Sequence, residues 1–384
     1  MKRLLALTLS LAVAGTLTAC GSAPSDSSAP SGSPAPTQEQ NSAQPVVINY
    51  GLSNPWDSLM PYNSPSGSNY SRMIYDKIYD RLVFVHADGT LTPRAAKSWE
   101  SAADGLAVIF HLDEKAAFHD GTPVTAQHWV DSIALVTNPD CPALGRSAFA
   151  VLAGTDSTGA AVAGEKLGAE ALDDTTLKLT FKNVTTPEDF LLDKNREFYV
   201  LPTHLLEGTD PSQVMELDLW KAPIGSGPCK FVSEVAGSTL TLEANPDYQL
   251  GAPGFDQLVI TVMDKSSLLT ALIAGDLDYY GIGGSVTADT APAATEAGLT
   301  VQEGTVPNTF YELMLNNETI SDARIRRAIE LALDKELLSE QSTGGYGTVT
   351  GTSVLPTCAS YAGDYNTPYD VEGAKELLTE AGYD

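Results

Sequence analysis

The chain has 384 residues, 43% of them hydrophobic, with 49 acids against 22 bases and a formal charge of −27. That charge repels a phosphate backbone and anionic lipid headgroups alike, which argues against nucleic-acid binding and against electrostatic attachment to a membrane. The apolar content suffices for a large core, and the length allows two domains at roughly 100–200 residues each.

Lys2 and Arg3 precede an apolar stretch from Leu4, which ends in Leu17-Thr18-Ala19-Cys20. A charged start, an apolar middle and a small-residue cleavage site make a secretory signal over residues 1–19. The closing cysteine makes it a lipoprotein signal, with Cys20 as the lipidated new N-terminus. The apolar run falls short of the roughly 20 residues that a membrane span needs. From Gly21 to Gln44 only Asp26 and Glu39 are charged, and no large apolar side chain occurs. Nothing there can offset the entropy of ordering, so residues 20–44 read as a flexible Ser/Pro/Ala tether.

Val46–Tyr50 is rich in β-branched residues and predicts a strand, followed by a polar loop from Ser53 to Asn69. Met73, Ile74, Ile78 and Leu82 recur at helical spacing and predict a helix over Ser71–Val85. Leu106–Leu112 predicts a strand, and Thr125 caps a helix through Ile133. Leu177–Phe181 and Thr239–Glu243 alternate as strands, and Leu258–Met263 is a more buried one. Ser266–Ala274 predicts a helix stopped by Gly275. A long helix is expected over Asp322–Leu338, capped by Ser321, with Arg324, Arg326 and Arg327 on a solvated rim. Asp370 caps a last helix that ends before Gly382. Strands and helices mix without strict alternation, so the fold class is mixed α/β rather than a dinucleotide-binding sheet.

Catalytic and cofactor signatures are missing. No serine is flanked by glycines two residues away on both sides, and no Gly-Lys pair exists to cradle a phosphate. His111, His119 and His128 lie close in sequence but fall on a strand, a turn and a helix without Cys or Glu at metal spacing, so no metal and no cofactor is expected. Cys141, Cys229 and Cys358 remain beside Cys20, and spacing does not choose a pair among them.

Leu91-Thr-Pro-Arg-Ala-Ala-Lys-Ser-Trp99 and Ala117-Phe-His-Asp-Gly-Thr-Pro-Val-Thr-Ala-Gln-His-Trp-Val-Asp-Ser-Ile133 closely resemble the signature of the family 5 extracellular solute-binding proteins. Pro223-Ile-Gly-Ser-Gly-Pro-Cys-Lys-Phe231, Asn245-Pro-Asp-Tyr248, Leu272-Ile-Ala-Gly-Asp-Leu-Asp278, Asp322-Ala-Arg-Ile-Arg-Arg-Ala-Ile329 and Tyr369–Tyr383 continue the likeness in order. The resemblance implies a two-lobed binding-protein fold whose lobes close around a ligand, the first over 45–263 and a partial second over 264–384. It implies a non-enzymatic receptor for an ABC importer, with permease subunits as partners and short peptides held through their main chain. Nickel chelates, oligosaccharides and opine-like solutes are the other ligands it allows. It places ligand contacts on Tyr62, Asn63, Ser68, Asn69 and Tyr70, and it puts Trp129 and Trp220 in the core. Members continue beyond the helix that ends near Asp384, so the resemblance also implies an incomplete second lobe. The competing reading is a secreted peptide- or cell-wall-processing hydrolase with a spatially assembled site, which would return its peptide cleaved rather than intact.

The lipoprotein reading makes a direct prediction. Replacing Cys20 with Ala releases the protein from membranes washed with carbonate; a variant that still sediments with them would show that no lipid on Cys20 holds it.

Overall fold

The first described strand, β1 (Val47–Leu52), passes from exposed Val47 to enclosed Tyr50, Gly51 and Leu52. The computed structural model describes residues 44–63, 69–86, 89–281, 290–301, 311–344, 346–352 and 366–383. The signal segment, Cys20, the tether, Ser68 and Cys358 lie outside them.

Helix α1 (Asn69–Ile78) buries Ser71, Ile74, Tyr75 and Ile78. It is shorter than the helix expected through Val85. The amide of Gly227 takes the Ile78 carbonyl at 2.8 Å, and Val83–Val85 becomes β2, paired with β3 (Leu91–Pro93). Leu82 is fully buried all the same, so its apolar spacing serves a turn in the core. Then come β4 (Ala96–Ser101) and β5 (Ala107–Leu112). Helix α2 (Ala126–Thr137) follows, where Nδ1 of His128 accepts from the Thr125 amide at 3.1 Å. Strands β6 (Ala169–Asp173) and β7 (Thr176–Thr180) complete a four-stranded antiparallel sheet in the order β4-β5-β7-β6. Trp129 of α2 is fully enclosed, and Trp220 is buried with its Nε1 donating to the Val214 carbonyl at 2.6 Å, so both tryptophans are core residues.

Helix α3 (Pro187–Asp193) leads through short 3-10 turns to β8 (Cys229–Val235), β9 (Thr239–Ala244) and β10 (Gln257–Val262). Helix α4 (Lys265–Ala274) ends on left-handed Gly275 (φ 81°), and β11 (Tyr279–Tyr280) follows. The second sheet runs β11-β1-β10-β9-β8, with β1 parallel to both its neighbours and the rest antiparallel. Helix α4 packs on it, since a Cβ on Gly51 would meet Leu268 and Leu277 side chains. The sheet therefore recruits chain beyond Met263. One continuous cluster of buried side chains runs from Tyr50 to Ile260.

The later part is α5 (Ala291–Glu296), α6 (Ala323–Ala332), α7 (Lys335–Thr343) and α8 (Val371–Glu380). The single helix expected over Asp322–Leu338 is two. Asp322 caps α6, and Asp334 caps α7 by accepting the Leu337 amide at 3.0 Å, because a short acceptor side chain at that position favours a new helix start. The rim arginines are engaged: Arg324 with Asp322 and the Glu380 carbonyl, Arg326 with the Ile320 and Ser321 carbonyls, Arg327 with Glu330 and Thr367. No helix among the described residues is long and apolar enough to cross a membrane.

A junction of buried polar groups ties together segments that flank the two larger sheets. Asp80, just after α1, pairs with Arg94 at 2.5 Å, both nearly inaccessible to solvent. Tyr248 bridges them, accepting from Arg94 Nε at 3.2 Å and donating to Asp80 at 3.3 Å, and Gln249 adds a bond to the same carboxylate. Asp76 joins through Arg81 at 2.9 Å and Tyr199 at 3.0 Å. Burial pushes the Asp80 carboxyl up, and Arg94 opposes it. Beside this network, His119 donates from Nε2 to the Gly227 carbonyl at 3.0 Å and accepts the Gly225 amide on Nδ1 at 3.2 Å. Both glycines are obligatory: a Cβ on Gly225 would fall 1.9 Å from the Ile78 carbonyl oxygen, and one on Gly227 would fall 2.6 Å from that of Lys77.

Removing one partner of a buried pair strands the other charge. Arg94→Met therefore lowers unfolding free energy by about 3–5 kcal/mol, read from urea midpoints; a loss under 1 kcal/mol would show the pair to be dispensable. Burial holds the His119 ring down at about 4, and its Nδ1 faces an N–H donor, so a proton there has no place. The unfolded ring protonates near pH 6.5, so its contribution is complete above that pH and is lost as pH falls toward 4, up to about 3 kcal/mol. His119→Gln flattens the pH slope of stability in that window, to which His128, whose pKa burial also lowers, and Asp80, with the opposite sign, still contribute. An unchanged slope would contradict this assignment.

Candidate functional site

Three strands, β11, β1 and β10, run parallel, so their carboxyl ends lie side by side. In open sheets the space beyond such ends is where ligands bind, because the chain leaves the sheet there and opens a crevice. Beyond β1 come Ser53 and Asn54, and beyond β11 comes Gly281. Helix α1 brings Tyr70 and Met73 against this end.

Two linked groups result. The Tyr70 hydroxyl lies 2.9 Å from that of Ser53 and accepts from Asn54 Nδ2 at 2.8 Å, with Asn54 Nδ2 also 3.3 Å from Ser53 Oγ. Beside it the Tyr50 ring stacks on Tyr279 at 5.2 Å and 20° and donates from its hydroxyl to Met73 Sδ at 3.3 Å. Gly281 lies flat against this pair: a Cβ there would sit 1.8 Å from the Tyr50 hydroxyl and 2.5 Å from Met73 Cε. Burial, and secondarily Tyr279, push the Tyr50 phenol far up; burial also raises Tyr280, whose enclosed hydroxyl has no hydrogen-bond partner among the described residues. The cluster offers hydroxyls, an amide and ring faces. Such a set can orient a neutral polar main chain and an apolar side chain, and it holds no nucleophile paired with a base.

Tyr70 belongs to this cluster. Asn69 is exposed at the first position of α1 and accepts from Arg72 at 3.0 Å; Asn63 is partly buried and donates its amide to the Met60 carbonyl at 3.1 Å. Tyr62 is not free to meet a ligand. It is 2% exposed, and its hydroxyl donates to the Tyr199 carbonyl at 2.8 Å while accepting the Tyr199 amide at 2.7 Å. Its ring packs on Phe149, so the loop turns this residue inward to anchor itself. Ser53, Asn54, Tyr50, Met73, Tyr279 and Gly281 escaped sequence reasoning. The available signal was positional, since Ser53 and Asn54 directly follow the first strand. Among the described residues no group of three or more His, Cys, Asp or Glu is arranged for a metal. Cys141 and Cys229 are buried free thiols.

The model for bacterial extracellular solute-binding proteins, family 5, matches residues 90–384. The chain belongs to this family. Heme-binding protein A of Haemophilus influenzae is 29% identical over 325 residues, covering 80% of this chain and 57% of that protein. Oligopeptide-binding protein AppA of Bacillus subtilis is 27% identical over 293 residues, covering 75% and 51%. The chain thus spans about half the length of the curated relatives it matches. Among solved structures, AppA in complex with a nonapeptide superposes with TM-score 0.69 at 23% identity, covering 88% of this chain and 65% of that one. The substrate-binding protein CtaP of Listeria monocytogenes gives 0.68 at 26% identity, also over 88% and 65%. The mixed α/β binding-protein fold expected from the sequence is the fold these structures share.

Proposed function

We propose that this family 5 protein captures short peptides outside the cytoplasm for uptake by an ABC importer, and that it binds them without turnover. The carrying observation is the neutral Ser53–Asn54–Tyr70 cluster at the carboxyl ends of β11, β1 and β10. Hydroxyls and an amide can exchange hydrogen bonds with a peptide main chain whatever its side chains, which suits a receptor of broad range. Family membership and the nonapeptide held by AppA support the same reading.

In this proposal, residues 45–263 form one lobe, to whose sheet α4 and β11 return, and 264–384 contribute to a second. The permease subunits of the importer are the partners. A lipid on Cys20 holds the protein at the membrane, and residues 21–44 give it reach. The importer-receptor reading is preferred to the hydrolase reading because the cluster carries no activated nucleophile.

The test is a thermal-shift series on the 384-residue chain with mixed pentapeptides, a nickel–histidine chelate and an oligosaccharide. Only the peptides raise Tm, by an amount corresponding to about 2.7 kcal/mol at a hundredfold excess over Kd. Mass spectrometry recovers them uncleaved. The double change Asn54→Ala with Tyr70→Phe weakens binding about tenfold. A shift with sugar or chelate alone, or cleaved peptide, overturns the proposal.

A further inference from the structure

Tyr279 combines two properties that conflict for an ordinary edge residue. It is 59% exposed, yet its ring is held parallel to that of Tyr50, which is 7% exposed. The Tyr50 ring is fixed on every side. Its strand neighbour toward the core is buried Ile260, its hydroxyl is bonded to Met73, and the Gly281 backbone crosses its end too closely for any side chain at 281. One face of Tyr279 therefore rests on a buried, hydrogen-bonded ring. The other looks outward from the edge strand of the sheet, at the carboxyl ends where the candidate site lies. Tyr311, Tyr346, Tyr369 and Tyr383 are also exposed, but among the described residues none of them is backed by a stacked ring.

We propose that Tyr279 is a stacking platform that makes this receptor prefer peptides carrying an aromatic side chain at one position. The inference rests on the peptide-binding reading above and adds to it a side-chain preference. Offset-stacked rings attract beyond the area they bury, and a platform ordered before the ligand arrives loses little freedom on binding. A basic side chain could also lie over the ring. The neighbouring Asp278 accepts the Asn49 amide at 2.8 Å and its side chain at 3.3 Å, both on Oδ2, so Lys is the rival side chain that the peptide series separates from Phe.

Calorimetry on the 384-residue chain tests this, using pentaalanine and its variants with Phe, Leu or Lys at each position in turn. At one position Phe binds about five- to tenfold tighter than Leu and Lys. Tyr279→Ala brings that Phe-to-Leu ratio to about one, Tyr279→Phe preserves it, and a change at exposed Leu172 on β6, the edge strand of the other sheet, Leu172→Ala, leaves it as it was. A melting curve for each variant confirms that the fold is retained. Peptide binding with equal Phe and Leu affinities, a preference for Lys, or an aromatic preference that survives Tyr279→Ala overturns the inference and leaves peptide capture standing. Absence of binding by every peptide overturns both.

Discussion

The structure depends on a pair of charges that water cannot reach. Asp80 and Arg94 each carry a large desolvation cost, and neither position is tolerable without the other. What makes the pair tolerable is the shell around it, in which Tyr248 and Gln249 fill the remaining acceptor positions of Asp80. These four residues come from the turn after α1, the link between β3 and β4, and the connection between β9 and β10. Chain segments more than 150 residues apart are thereby fixed to one point, |i−j| being 168 for the Asp80–Tyr248 contact. Apolar packing alone would let these segments shift; a charge pair needing several partners at once admits a single arrangement of them.

This point is also where the most legible parts of the sequence converge. Arg94 lies in the Leu91–Trp99 motif, His119 in the Phe-His-Asp-Gly-Thr turn, Gly225 and Gly227 in the Gly-Ser-Gly-Pro run, and Tyr248 closes Asn-Pro-Asp-Tyr. Each of these residues makes contacts that another residue type could not make, so the family pattern stands out in them. Strand alternation and helix caps were equally readable, as at Thr125, Gly275 and Asp370. The helix through Val85 was misread because a buried turn can carry the same apolar spacing as a helix face. The helix through Leu338 was misread because Asp334 is a cap only once its neighbour Leu333 has left helical geometry.

The candidate site was less legible for the opposite reason. Ser, Asn and Tyr are ordinary loop residues, and nothing local distinguishes Tyr70, which reaches the cluster, from Tyr62, which points into the core. The distinction arises from Tyr199, 137 residues away, whose backbone binds the Tyr62 hydroxyl from both sides. Tyr279 became meaningful only when β11 was laid in register beside Tyr50.

The pairing of β1 on both of its edges has a consequence for how the molecule forms. Its neighbours on both sides are supplied by residues 257–262 and 279–280, and the Asn49–Asp278 contact closes a span of 229 residues. A chain that emerges N-terminus first exposes this strand long before anything exists to pair with it. Such distant pairing makes for slow sheet assembly, since the entropy of closing the loop precedes any contact that rewards it. The antiparallel sheet of β4 to β7 is drawn from residues 96–180 and can form before the larger one. The protein is thus arranged to remain open at its larger sheet until residue 280 has appeared.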